Sequence, residues 1–179
     1  MNTRRAFPGL VLVGFMGSGK SSVGREVARR FRAEFVDVDD RIEREAGRTI
    51  RELFAAEGEP AFREREKEAL RDALAAPGRV VATGGGAFLD TENRERLKAY
   101  APVVYLEASP EAVLSRLSRD SDRPLLRGGD RERIVRDLLA RRIPGYREAD
   151  HTVETDGRTV AEVAGRIVEL LMEKEGRRR

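Results

Sequence analysis

The sequence predicts a three-layer α/β/α domain around a central parallel sheet of five strands, on three observations. Short apolar runs alternate with longer helical stretches along the whole chain of 179 residues. Two of the runs, Leu10–Val13 and Val103–Leu106, are apolar without interruption, as strands covered on both faces must be. The first run leads directly into Gly14, Phe15, Met16, Gly17, Ser18, Gly19, Lys20 and Ser21, which fit the pattern G-x-x-x-x-G-K-[ST] at every position. Regular alternation of strand and helix implies right-handed crossovers, which place helices on both faces of a parallel sheet.

In chain order, a strand is expected at Gly9–Val13. After the glycine-bearing loop, Ser22–Arg32 reads as a helix, with Val23, Val27 and Phe31 on one face. Glu34–Val38 is the second strand. Asp40–Leu74 is a long charged helical stretch broken at Gly47 and Gly58. Val80–Thr83 is the third strand, closed by Gly84, Gly85 and Gly86. A helix at Glu92–Ala99, the fourth strand at Val103–Glu107 and a helix at Pro110–Ser118 follow. Arg119–Asp130 is polar and glycine-bearing, the composition of a mobile loop. Helices at Arg131–Ile143 and Val160–Lys174 flank the last strand, Thr152–Glu154. Arg177–Arg179 reads as a solvated tail. No repeat, linker or low-complexity stretch divides the chain, so residues 1–179 form a single domain in this reading.

Composition narrows the function classes. Hydrophobic residues make up 40%, and no apolar run approaches the ~20 residues needed to span a bilayer. There is no cysteine, hence no disulfide framework and no thiolate metal site, and a cytoplasmic location is expected. Charged residues reach 37%, yet the formal net charge is only +3. Acidic residues interleaved with the basic ones, and few aromatics, argue against a nucleic-acid partner. Most of the cations are arginine, which suits bidentate recognition of phosphate or carboxylate.

The loop points to phosphate chemistry. Small residues let backbone N–H groups approach a polyphosphate, Lys20 supplies a charge for the β/γ-phosphates, and Ser21 supplies a hydroxyl for Mg²⁺. The following helix adds the partial positive charge of its N-terminus. Asp37 and Asp39 end the second strand in this reading, where period-two geometry turns them to one side. One can orient metal-bound water while the other accepts a hydroxyl proton; alternatively Asp39 only caps the next helix. Three successive glycines after the third strand let a ligand touch the backbone. An inserted helical segment at about 39–74 to hold an acceptor, and a lid at about 116–130 to exclude water, are what a phosphotransferase requires.

On these residues the chain resembles shikimate kinase, a small P-loop kinase family that phosphorylates the 3-hydroxyl of shikimate with ATP. The resemblance runs from about Gly9 to Leu171. Besides the loop and Asp37-Val38-Asp39 with Ile42-Glu43, it rests on Gly58 to Glu66, on Thr83-Gly84-Gly85-Gly86, on Arg123-Pro124-Leu125-Leu126, and on Arg141-Arg142 followed by Tyr146. It implies roles that the chemistry supports. Arg63 and Arg142 grip the acceptor carboxylate, with Glu66 orienting Arg63. Gly84, Gly85 and Gly86 form the pocket wall, and Asp39 binds ring hydroxyls and receives the proton of the attacking one. Gly17, Ser18, Gly19, Lys20, Ser21 and Ser22 hold the phosphates, and Ser21 and Asp37 serve the metal, one Mg²⁺ ion. Arg123 reaches the transferring phosphoryl group from the lid, so Lys20, Asp39 and Arg123 form the catalytic set. Arg116 and Arg158 contact the adenine end.

Two features depart from the family pattern. The segment Thr155-Asp156-Gly157-Arg158 lacks a proline that some members carry, and no aspartate ends the third strand, where many P-loop proteins place a metal-orienting acid; the family tolerates that, and Asp37 can serve instead. A gluconate or nucleoside-monophosphate kinase of the same fold is the rival enzyme, and Asp39, Arg63 and Arg142 favour a hydroxylated carboxylate over a nucleotide acceptor. A GTP-dependent switch would need an N-K-x-D segment, and none is present. The expected partners are therefore ATP/ADP and shikimate, with no membrane or nucleic-acid partner and a monomeric state.

Overall fold

The computed structural model describes residues 7–117 and 130–176. Strand β1 (Leu10–Val13) is buried at every residue. It is the middle of a five-stranded sheet of order β2-β3-β1-β4-β5, formed with β2 (Phe35–Asp37), β3 (Val80–Ala82), β4 (Val103–Glu107) and β5 (His151–Glu154). All pairings are parallel, with Val11 opposite Val81 on one side and Val103 on the other. The pleat sends Leu10 and Leu12 to one face and Val11 and Val13 to the other, and the core divides accordingly. Helices α1 (Lys20–Phe31) and α7 (Val160–Gly176) cover the first face through Val23, Val27, Val163 and Ile167. The second is covered by α2 (Val38–Ala46), α3 (Ile50–Ala73), α4 (Thr91–Tyr100), α5 (Pro110–Leu117) and α6 (Arg131–Tyr146), which bring in Ile42, Leu70, Leu97, Val113 and Leu139. Each fully buried side chain of this size contributes about 1.5–3 kcal/mol of transfer free energy, so the sheet centre is a firm base for the loops at its edge. Among the described residues no helix is long and apolar enough to cross a membrane.

Several boundaries differ from the sequence expectation for local reasons. Strand β2 ends at Asp37 because its carboxylate caps α2, accepting from the Asp39 and Asp40 N–H groups at 3.1 and 3.4 Å. Asp39 therefore sits in the first turn of a helix and does not share a strand face with Asp37; the cap is Asp37, not Asp39. Helix α3 starts from a capping box between Thr49 and Glu52. It is kinked at Gly58 (φ 79°, ψ 171°), and Pro60 opens its second half, where a missing N–H costs little. Helix α6 runs to Tyr146, past the expected end at Ile143 and through Pro144. A 3₁₀ turn at Ala87–Leu89 follows the triple glycine. The expected lid loop lies almost wholly outside the described residues.

Candidate active site

The loop between β1 and α1 lies at the carboxyl end of the sheet, with β2 and β3 on one side of β1 and β4 and β5 on the other. A crevice forms where the strand order diverges in this way. Gly19 is the N-cap of α1 with φ 95°, a conformation that favours glycine, and a Cβ there would meet only Val23 Cγ2 at 4.0 Å. Helices α2, α3, α4 and α6 each carry a side-chain cap, whereas α1 has none and no acid in its first turn. Its first N–H groups are thus left for an anion. Lys20 Nζ is held at the loop by the Gly14 and Phe15 carbonyls, each at 2.9 Å. The Ser18 hydroxyl is buried and has no hydrogen-bond partner among the described residues, which fits a group completed by a ligand. Gly17 is half-buried and Ser22 is exposed at the start of α1.

Beside the loop, Ser21 Oγ donates to Asp37 Oδ2 at 2.5 Å, while Asp37 Oδ1 caps α2. A hydroxyl backed by a carboxylate is a hard-oxygen donor pair that fits Mg²⁺. Among the described residues no three His, Cys, Asp or Glu side chains cluster as a cage. Mg²⁺ keeps several waters and phosphate oxygens, so it needs no such cage.

A second cluster is built around Gly84–Gly86. Gly84 does not have the left-handed φ, so proximity rather than backbone conformation explains the glycine. A Cβ on it would lie 2.6 Å from Glu66 Oε1 and 2.7 Å from Asp39 Oδ1. A Cβ on Gly86 would lie 2.7 Å from an Arg63 guanidinium nitrogen, and one on Gly85 would lie 3.4 Å from Arg142. Four charged side chains thus converge on three successive backbone units. Their helices explain how. In the second half of α3 the buried stripe is Phe62, Glu66, Ala69, Leu70 and Ala73, so Glu66 occupies a core position and is 2% exposed. Arg63 donates to Glu66 at 2.8 Å and to Glu59 at 2.9 Å. Burial pushes the Glu66 carboxyl above its ordinary range, against the pull of Arg63 and Arg142. In α6 the stripe Val135, Leu139, Tyr146 carries Arg142 between its apolar members, whereas Arg141 points to solvent. Arg142 donates to the Gly85 carbonyl at 3.3 Å. The rings of Phe62 and Phe15 lie under Arg63 and Arg142, 5.6 and 5.7 Å from centroid to guanidinium carbon.

A family model described as shikimate kinase matches residues 16–172. The chain belongs to the shikimate kinase family. The shikimate kinase of Pseudomonas syringae pv. tomato is 49% identical over 166 residues, covering 90% of this chain and 96% of its own. That of Xanthomonas campestris pv. campestris is 47% identical over 162 residues, 90% of each chain. Among solved structures, shikimate kinase from Acinetobacter baumannii in complex with shikimate superposes with a TM-score of 0.90 at 43% identity, covering 94% of both chains. A gluconokinase from Sinorhizobium meliloti, at 20% identity and a TM-score of 0.57, shares the fold alone.

The resemblance to shikimate kinases also singled out Arg116, Arg158 and Arg123. Arg116 is tied back onto the protein, donating to the Gly17 carbonyl, to Thr155 Oγ1 and to the Thr155 carbonyl, each at 3.1 Å. It bridges the phosphate loop and the end of β5. Arg158 is exposed in the turn after β5, at the same end of the sheet. Arg123 lies outside the described residues. Sequence reasoning named Thr155 only as part of the segment up to Arg158 and missed that it anchors Arg116, and it missed the placement of two phenylalanines beneath the arginines. The signal for Phe62 was its place on the core stripe of α3 next to Arg63; nothing in the sequence tied Thr155 to Arg116.

Proposed function

We propose that this chain catalyses ATP-dependent phosphorylation of the 3-hydroxyl of shikimate, giving shikimate 3-phosphate on the way to chorismate and the aromatic amino acids. The observation that carries the reading is the convergence of Arg63, Glu66, Asp39 and Arg142 on Gly84–Gly86, beside a phosphate loop, in a chain of this family. In this reading Arg63 and Arg142 bind the acceptor carboxylate, and charge-assisted hydrogen bonds of this kind contribute about 1.5–3 kcal/mol each. Glu66 keeps Arg63 from swinging to solvent. Gly84, Gly85 and Gly86 form the wall against which the ring lies. Asp39 binds the ring hydroxyls and receives the proton of the attacking 3-hydroxyl.

On the donor side, Gly17, Ser18, Gly19, Lys20, Ser21 and Ser22 cradle the phosphates of ATP, with Arg116 and Arg158 toward the adenine. Ser21, with Asp37 behind it, would hold the Mg²⁺ that accompanies ATP and neutralises phosphate charge. Lys20 and Arg123 stabilise the negative charge spread over the transferring group. The transfer is in line and asks little covalent chemistry of the protein, so positioning and exclusion of water dominate. Residues 1–179 act as a single domain, with 39–74 as the acceptor segment and 116–130 as the lid. The enzyme works as a cytoplasmic monomer on ATP and shikimate, without nucleic-acid or membrane partners. Coupled ADP release with ATP and Mg²⁺ tests the reading, with shikimate, gluconate and nucleoside monophosphates offered in turn. Shikimate-dependent release well above the others is expected, and equal or greater release with another acceptor would overturn it.

A further inference from the structure

The last turn of α6 makes three contacts with the segment that follows β3. Tyr146 is fully buried and donates its hydroxyl hydrogen bond to the Gly85 carbonyl. Arg142, one helical turn earlier, donates to the same oxygen at 3.3 Å. Gly145 comes so close to the following 3₁₀ turn that a Cβ there would sit 2.6 Å from Leu89 Cδ2. Gly85 is in turn where the acceptor wall meets the phosphate loop, since a Cβ on it would lie 3.6 Å from the Met16 nitrogen and 3.7 Å from the Gly14 carbonyl oxygen. The tyrosine ring has little freedom. It stacks on Tyr105 of β4 with centroids 5.1 Å apart, and Tyr105 itself lies beneath Gly14. Burial pushes the Tyr146 hydroxyl up to about 12, so it remains a donor throughout the neutral range.

Resting on the kinase reading above, we propose that Tyr146 is a positioning residue for phosphoryl transfer, its hydroxyl fixing the Gly85 carbonyl and thereby the acceptor wall against the phosphate loop. Arg142 holds the same carbonyl, but its guanidinium is also the group that turns to an acceptor carboxylate. Tyr146 has no such second task. When Arg142 engages the acceptor, Tyr146 keeps the wall in register.

The test is Tyr146→Phe, which keeps the ring and its stacking and removes the hydroxyl, read by the KM for each substrate, kcat and Tm. Tyr105→Phe is the matched control, because it removes a buried hydroxyl that has no hydrogen-bond partner among the described residues. Tyr146→Phe is expected to raise the shikimate KM about five- to tenfold, the effect of one hydrogen bond, and to lower kcat, with the ATP KM within about twofold of wild type. Tyr105→Phe should leave both KM values within about twofold. Wild-type shikimate KM and kcat in Tyr146→Phe, whatever its Tm, would overturn the inference, as would equal shifts in the two variants. Wild-type enzyme that does not turn over shikimate would instead defeat the kinase reading on which the inference stands.

Discussion

Gly84→Ala isolates the geometry of the proposed acceptor wall, Gly84–Gly86, in a single methyl group. The new Cβ would sit 2.6 Å from Glu66 Oε1 and 2.7 Å from Asp39 Oδ1. Both contacts are about 0.7 Å or more inside ordinary van der Waals distance. The backbone adds no strain of its own, because Gly84 is outside the left-handed region. Glu66 is pinned by Arg63 at 2.8 Å and buried on the core stripe, so it yields little, and Asp39 takes much of the displacement. Overpacking of this size costs about 1–3 kcal/mol of stability, with Tm falling by about 2–4 °C for each kcal/mol. Displacing a positioning group by about 1 Å costs on the order of 100-fold in rate. Coupled ADP release should therefore show kcat lowered about 10- to 100-fold and a raised shikimate KM, with the ATP KM unchanged. Gly47→Ala is the control, because Gly47 has φ 62° and nothing within 4 Å. That change should lower Tm by a few degrees and leave both KM values alone. Wild-type kcat and shikimate KM in Gly84→Ala would show that Glu66 and Asp39 do not have to sit where Gly84 now lets them.

Two further changes separate charge and stability from catalysis. The Glu66 carboxyl has its folded pKa raised above the ordinary value of 4.5 by burial, so its ionisation costs the fold stability. That cost is absent below 4.5 and grows as pH rises through the raised pKa. Glu66→Gln removes the titration, so wild type should lose stability relative to the variant as pH rises from 4.5 toward 7 in urea midpoints; a wild type that gains on the variant over that range would mean that the Arg63 pairing outweighs burial. Thr49→Ala removes the capping box at the start of α3, with its 3.2 Å bond from Glu52 N–H to Thr49 Oγ1. It should cost about 1 kcal/mol in denaturant unfolding with turnover unaltered, and a loss of turnover without loss of stability would contradict a purely structural cap.

Much of the fold was legible because the apolar runs at β1 and β4 and the glycine-lysine loop are local signals. What was misplaced was local in another way. Asp37 and Asp39 look equivalent on a strand, and only the cap formed by Asp37 reveals that the helix begins between them. In α6 the apolar stripe continues past Pro144 to Tyr146, and a proline near a helix end is a weak stop when its neighbours pack well. Arg63, Glu66 and Arg142 were singled out only through the resemblance to shikimate kinases; the structure adds that Glu66 and Arg142 lie on the core stripes of α3 and α6, whereas Arg65 and Arg141 are exposed. The pairing of Thr155 with Arg116 was invisible because the two are remote in sequence and meet only through the sheet order. The phenylalanines under Arg63 and Arg142 read as ordinary core until the guanidinium groups were placed above them.

In the proposed function Arg142 binds the acceptor and not ATP. Arg142→Ala, assayed for the KM of each substrate, tests it most directly. The expected result is a shikimate KM raised by about tenfold or more, with the ATP KM within about twofold of wild type. Equal increases in the two KM values, or none in that for shikimate, would contradict it.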